Sequence, residues 1–526
     1  MYTAPAKFDI NLTFWLLISL FFLGSGLSAD PVDVTAVSED SSLFAQKIIT
    51  DNFPGHLIDP ILSRAFTPYT SASNPAFLFD SPDPDWLWLS SKIDGETGGF
   101  RPFTVAEGMR IYSMSARGKK KLNRHEIFGG EFKFFKKTAI NRHWLVTGEL
   151  PFGMPFVSGD SATGDQTSNG IALNATYARY AGQRWQWGIR MDYEVDETLK
   201  AVSPKPVSNH VRMRVLAGWG WKLNPELTFN GVFGIGQYDE EILYSDDRTS
   251  SIVPTLIKFR GYDYPITQVK TDEKRRQDQT DYYTCISLFK RECFIADIKL
   301  ETHQLAIRNN GTQPRPEGKY QLLSLNSGIS WYSTIHETLQ SLLIFKLQME
   351  YADSRHPDYD LTITNCQRYT PLIRWNLYRQ FSGGRKVGII PSLQWQKTDY
   401  TDDFSEITWN LQSYRTEIKI EFLPIHLSRF LSQLSYSFRL HHVPDPAPAF
   451  AFYSPWANVW QQDIEYYYTS YYNHRIELAA LWDYPAIGNI QLSLYFNISL
   501  PKTETLFEHK NRWGTGLQLD FLLPAY

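Results

Sequence analysis

The sequence predicts an all-β fold, a transmembrane antiparallel β-barrel of about 18 strands with a short N-terminal plug-like or periplasmic segment. Three observations predict it. Long strands with a two-residue hydrophobic rhythm run from about residue 100 onward, aromatic residues make up 15% of the chain, and the last strand ends on an aromatic. In residues 184–196 the odd positions are Trp185, Trp187, Ile189, Met191, Tyr193 and Val195. The even positions are Arg184, Gln186, Gly188, Arg190, Asp192, Glu194 and Asp196. Successive strand side chains point to opposite faces, so this segment makes one apolar face and one polar, charged face.

The chain of 526 residues carries a formal net charge of −4, and no global basic field marks a nucleic-acid partner. The 30 Tyr, 33 Phe and 16 Trp suit interfacial aromatic girdles better than a soluble enzyme. Residues 14–23, FWLLISLFFL, are too short to span a bilayer as a helix, which needs ~20 residues, but fit the core of a signal peptide. Small residues from Gly24 to Ala29 then supply a cleavage site, with no cysteine there to make a lipoprotein. The expected division is a signal peptide over 1–28, an N-terminal periplasmic or lumenal segment over 29–83, and an outer-membrane barrel over 84–526. The N-terminal segment is rich in Pro, Ser and Asp, with one short helix expected near Ser42–Thr50. It closes with Ser73-Asn74-Pro75-Ala76-Phe77 and the stiff acidic run Asp80 to Asp85.

From Trp86 the strand pattern begins. Val211, Met213, Val215, Ala217, Trp219 and Trp221 share one face, with Arg212, Arg214, Gly218 and Gly220 opposite. Leu339, Leu343, Phe345, Leu347, Met349 and Tyr351 repeat the pattern, as do Tyr414, Ile418, Ile420 and Phe422. Ile464, Tyr466, Tyr468, Tyr472, Ile476, Leu478 and Trp482 share one parity, which predicts a single strand that projects beyond the ~9–11 residues a bilayer takes. Short connections at 181–183, 224–225, 383–384 and 485–489 alternate with longer ones at 157–168, 244–276, 309–317, 353–362 and 443–459, the expected asymmetry of a barrel. A secreted β-sandwich or propeller also alternates; strand length, aromatic enrichment and the terminal strand favour the membrane.

If the apolar parity faces lipid, the other lines the lumen. It carries Arg184, Arg190, Arg212, Arg214, Lys346, Glu350, Arg415, Glu417, Lys419 and Glu421, followed later by Arg475 and Glu477. Mixed signs there tie strands together by ion pairs or form a ladder that selects one class of solute. The segment Arg117, Lys119, Lys120, Lys121 and Arg124 reads as a basic loop, either solvated or touching anionic headgroups and lipopolysaccharide phosphates. Cys285 and Cys293 would face each other in a hairpin folded about Phe289, which makes a cross-strand disulfide a candidate beside two buried thiols. Asp399 to Asp403, His441-His442 and His336-Glu337 lack the further ligands of a metal site, so no metal and no cofactor is expected. GxSxG, P-loop and dinucleotide motifs are missing, and the chain is read as non-enzymatic.

The last strand places Trp513, Thr515, Leu517, Leu519, Phe521 and Leu523 on one parity before Pro524-Ala525-Tyr526, and resembles the assembly signal of bacterial outer-membrane proteins. That resemblance implies the barrel assembly machinery as a partner in biogenesis and the Gram-negative outer membrane as the location. The layout, with Asn74-Pro75-Ala76 ahead of Trp86-Leu87-Trp88-Leu89, resembles uncharacterised outer-membrane barrels of the Bacteroidota. The same tripeptide is similar to one in FadL-type fatty-acid transporters, whose N-terminal hatch plugs a barrel of fewer strands. TonB-dependent receptors fit less well, since ~50 residues cannot supply their large plug. The expectation is a barrel that passes or helps capture a solute. An accessory barrel scaffolding a TonB-dependent uptake complex, or a membrane-embedded hydrolase, are the alternatives.

Overall fold

The computed structural model describes residues 74–80, 85–102, 104–143, 151–160, 162–202, 205–244, 256–263, 265–266, 274–290, 293–309, 314–336, 338–359, 361–381, 385–423, 426–427, 430–452, 457–484, 488–502, 507 and 510–524. The expected signal peptide, the helix near Ser42–Thr50, most of the N-terminal segment, the turn at 383–384, most of that at 485–489 and the C-terminal Tyr526 lie outside them.

A 3-10 turn at Pro75–Asp80 comes first. In chain order the strands are β1 (Trp86–Gly98), β2 (Gly108–Asn123), β3 (Glu126–Arg142), β4 (Phe156–Asp160), β5 (Gly164–Ala181), β6 (Trp185–Lys200), β7 (Val207–Lys222) and β8 (Leu227–Leu243). They continue as β9 (Leu256–Arg260), β10 (Pro265–Ile266), β11 (Lys274–Lys290), β12 (Phe294–Asn309), β13 (Arg315–His336), β14 (Leu339–Arg355), β15 (Thr362–Gln380), β16 (Lys386–Asp402) and β17 (Ile407–Leu423). The last are β18 (His426–Leu427), β19 (Phe430–His442), β20 (Tyr471–Tyr484), β21 (Gly488–Pro501) and β22 (Arg512–Pro524), with one α-helix among the described residues, α1 (Asn458–Tyr468), before β20.

Eighteen strands form the wall of a closed antiparallel barrel, as the sequence predicts. Every neighbour in chain order pairs, and β1 closes on β22 in a register running from Trp86 opposite Pro524 to Gly98 opposite Arg512. β18 is a two-residue pairing in the turn before β19, and β4, β9 and β10 make a separate small sheet. Closure leaves no free sheet edge, so every wall strand is paired on both sides.

The parity read from the sequence sorts the two faces. Ile189, Met191, Met213, Phe233, Ile286, Phe345, Ile418 and Leu478 stand exposed on the outer surface. Gln186, Asn230, Ser287, Ser324, Asn376 and Glu421 are buried on the inner one. Near the end where β1 begins, Trp185 stacks on Trp221 at 5.2 Å and packs against Trp219, an outward aromatic group of the kind that lies at an apolar–polar boundary. That end carries short turns such as 182–184 and 223–226; the long connections, 143–163, 244–273 and 443–470, all lie at the other.

Residues 464–468 are helix, not the start of a strand. Trp460, Ile464 and Tyr468 recur every four residues and are all buried, and Ile464 and Tyr468 match strand parity only because four is a multiple of two.

Candidate functional site: the lumen and its capped mouth

The connection between β3 and β5 leaves the wall on one side and packs on the opposite one. Met154 and Phe156 bury themselves against Leu305 and Ile307 of β12, Tyr320 and Leu322 of β13, Ala352 of β14, Cys366 of β15 and Tyr400 of β16. Gly153 takes a positive φ of 70°, and a Cβ there would stand 2.8 Å from that of Cys366, so the turn approaches the wall as only glycine can. β4 pairs with β9, joining this loop to the one after β8. Phe259 of β9 meets Trp460 of α1 edge-on at 5.4 Å. Asp463 of α1 accepts bonds from the Thr104 hydroxyl at 2.7 Å and its amide at 3.3 Å, which reaches the loop between β1 and β2. Contacts therefore cross the mouth from β1 and β2 to β12 and β13.

Two polar anchors hold this lid. The fully buried Arg275 of β11 donates to the Ser158 hydroxyl and, at 3.3 Å, to the Phe156 carbonyl, and pairs with Glu317 at 3.3 Å. Glu317 also holds Lys258 of β9 at 2.6 Å. Asp402, closing β16, accepts the amide of Tyr262 at 2.7 Å and those of Phe404 and Ser405 at 3.0 Å.

Below the lid the lumenal face is laced with ion pairs. Arg190 and Arg214 share Asp192, at 2.5 and 2.8 Å, and Arg212 lies 3.6 Å from Asp281. Glu350 meets Arg368 at 3.2 Å and Glu417 meets Arg439 at 3.0 Å. Lys419 lies 2.6 Å from Glu421 and 3.8 Å from Glu477, which also binds Arg475 at 2.7 Å. Lys346 and Asp297 flank Gly328 of β13 from the two neighbouring strands. Of the residues predicted to line the lumen, Arg184 is displaced: it lies in the turn at 182–184, where its carbonyl accepts the Lys222 amide. Arg415 has no ion-pair partner among the described residues.

The segment Asn74–Asp80 lies on the lumenal face of β3, β5, β6 and β7. The Asn74 side chain donates to the Trp219 carbonyl at 3.3 Å and accepts the Ala76 amide at 3.0 Å. Gly188 and Gly218, paired across β6 and β7, leave the space that Asn74 and Pro75 fill. Leu78 packs on Ile127 and Ala178. Two glycines in register on neighbouring strands, on the polar parity, are the sequence signal that marks this docking place.

Two further expectations are corrected. The basic cluster is strand rather than loop, up to a tight turn at Arg124 and His125. The register sets Arg117 opposite Trp88 and Lys119 opposite Trp86, and Lys119 is buried on the inner parity while Lys120 points outward toward Asp85 at 3.4 Å. Arg117, Lys119 and Lys121 therefore turn away from the outer surface, where a headgroup would meet them. Cys285 and Cys293 are free thiols, as is Cys366. The hairpin folds beyond Lys290 rather than about Phe289, so Cys285 faces Lys299 while Cys293 sits at the turn. His441 and His442 close β19, and His441 is buried on the lumenal parity.

One family model, described as a family of unknown function (DUF6850), matches residues 75–523. No curated protein matches the chain. Solved structures similar to it include the FrpB iron transporter from Neisseria meningitidis, 8% identical with a TM-score of 0.42 over 86% of this chain and 84% of that one. BauA, the ferric preacinetobactin receptor from Acinetobacter baumannii, is 8% identical with a TM-score of 0.41 over 84% and 80%. OccAB3 from Acinetobacter baumannii is 9% identical with a TM-score of 0.34 over 84% and 99%.

Proposed function

The chain belongs to the DUF6850 family, and we propose that it is a non-enzymatic barrel of the Gram-negative outer membrane that captures a solute and passes it through a gated lumen. The outward apolar and aromatic belt of a closed wall supports the membrane location, because a closed barrel is the sheet form that satisfies every backbone group in lipid. The single observation that carries the gated reading is the crossing of the mouth by the loop that bears Phe156. A loop that packs an apolar side chain on the far wall obstructs free diffusion, yet it is joined to the wall by side chains and can be released without unfolding the barrel. Residues 29–83, which end in the segment docked on the inner wall, act in this reading as a second obstruction. The short-turn end, where β1 begins and β22 ends, faces the periplasm.

Single-channel conductance of the purified, refolded protein in planar bilayers tests this. Wild type is expected to stay closed with rare openings, and Phe156→Ala to show sustained steps, increased further when residues 30–83 are removed. The closed mouth also favours a second reading, an accessory barrel that scaffolds a TonB-linked uptake complex. Folded protein that stays silent in all these forms would sink the solute path and leave that second reading.

A further inference from the structure

Arg415 of β17 stands in a row that crosses three strands. Gln394 of β16 faces it in register on one side and His441 of β19 on the other. Ser413, two positions along β17 on the same lumenal parity, and its cross-strand partner Gln396 complete a shallow notch with these three residues. Every side chain that lines it can donate a hydrogen bond, the Gln396 amide doing so already to the Thr398 hydroxyl at 3.2 Å.

The charge balance of the notch is unlike that of the surrounding wall. Elsewhere on this face cations meet carboxylates: Arg439 donates to Glu417 through Nε at 3.2 Å and Nη2 at 3.0 Å, and Lys419 holds Glu421. Glu417, two residues from Arg415, is thereby already engaged. The Nε of Arg415 is buried with no partner among the described residues, and so is Nδ1 of His441, a residue nine-tenths buried. The charged groups that act on His441 are Arg415, Arg439 and His442, all of cationic type. Buried polar groups are nearly always satisfied, and no carboxylate among the described residues meets the Arg415 guanidinium, so its unpaired buried Nε implies a ligand that brings an anionic acceptor. A guanidinium fork beside amide and hydroxyl donors matches the planar or tetrahedral oxygens of an anion.

We propose that this notch binds the oxyanion group, carboxylate or phosphate, of an anionic solute that enters the lumen. The proposal deepens the solute-capture reading and rests on it for access to the lumen. It places the recognition of charge beneath the lid, on β16, β17 and β19.

Isothermal titration of the folded protein with inorganic phosphate and with acetate, against chloride at equal ionic strength, tests it. Wild type is expected to bind phosphate or acetate but not chloride, and whichever binds tighter identifies the group. Arg415→Gln is expected to weaken binding at least tenfold, whereas Lys120→Gln, an equal change of charge on the outer face, leaves it unchanged. Ser413→Leu fills the notch without altering charge and is expected to abolish binding too, with the heat-shifted migration of the folded barrel as the control for folding. No binding by wild type, or equal binding by folded Ser413→Leu, would overturn the proposal. Conductance separates the two readings: binding in a barrel that never conducts keeps the site and removes transport, while conduction without binding removes the site and keeps transport.

Discussion

Phe156 occupies the space that Gly318 leaves by having no side chain: a Cβ at position 318 would overlap the ring. The ring belongs to the loop between β3 and β5, and the glycine to β13 on the opposite wall. Gly318→Val is therefore expected to push the loop off the wall, at the cost of about 1–3 kcal/mol typical of overpacking a tight contact. Open conductance steps, absent from wild type, are the expected readout. A variant as stable and as closed as wild type would show that the lid does not depend on this contact.

Arg275 and Arg276 are neighbours with opposite expected effects. Arg275 is 1% exposed and tied to Ser158, Phe156 and Glu317, whereas the Arg276 side chain is 43% exposed in its pairs with Asp278 and Asp239. Arg275→Met strands buried acceptors on the lid, and Glu317 keeps only Lys258, so a loss of about 3 kcal/mol is expected, the low end for a broken buried pair. Arg276→Gln is expected to cost at most about 1 kcal/mol, as exposed pairs do. Urea unfolding of the two variants side by side measures the difference, and equal losses would refute the role given to Arg275.

The wall was legible because each strand must present one face outward, so parity alone sorts Ile189, Met191 and Met213 from Arg190 and Arg214. The lid was not, because a loop residue such as Phe156 becomes buried only through a wall position far away in sequence, and no local pattern announces the vacancy at Gly318. Helix α1 was hidden by a coincidence of periods, Ile464 and Tyr468 satisfying both a spacing of two and one of four. The lumenal charges were visible one strand at a time, but which carboxylate each would meet depends on register. For this reason Arg415 looked like its neighbour Lys419 until β16 and β19 were placed beside it. The basic cluster around Lys119 misled in the same way, since charged residues in a row look like a loop when their alternate faces cannot be seen.

A pH effect is expected at the mouth. The Glu107 carboxyl is held below its ordinary value of 4.5, first by the Asn141 side-chain amide at 3.0 Å and then by the Arg101 guanidinium at 3.3 Å. A carboxyl that gives up its proton more readily when folded stabilises the fold in its ionised form. That contribution is present in full above the ordinary value and disappears as the pH falls through the lower folded one. Wild type is expected to melt above Glu107→Gln at pH 7, and the two to converge in acid below the ordinary carboxylate range. A gap that is constant with pH would mean that the substitution acts through shape rather than charge.

The segment that carries Asn74 and Pro75 is held by a wall that has made room for it. Gly218 would drive a Cβ into the Asn74 side chain, and Gly188 would place one 2.6 Å from the Pro75 carbonyl. Gly218→Val, on β7 and facing the lumen, adds bulk while leaving the strand pairing untouched, so the barrel is expected to close as in wild type. What it removes is the seat of the tripeptide and with it the bond from Asn74 to the Trp219 carbonyl. Limited proteolysis of the folded protein reads the consequence directly: cleavage between residues 74 and 80 is expected to be slow in wild type and at least tenfold faster in the variant. Asn74→Ala, which takes away the bond but keeps the space, is expected to fall between the two, since one net hydrogen bond is worth about 1 kcal/mol. Equal protection in all three would show that the glycine pair does not hold the segment, and that the docking of Leu78 on Ile127 and Ala178 suffices.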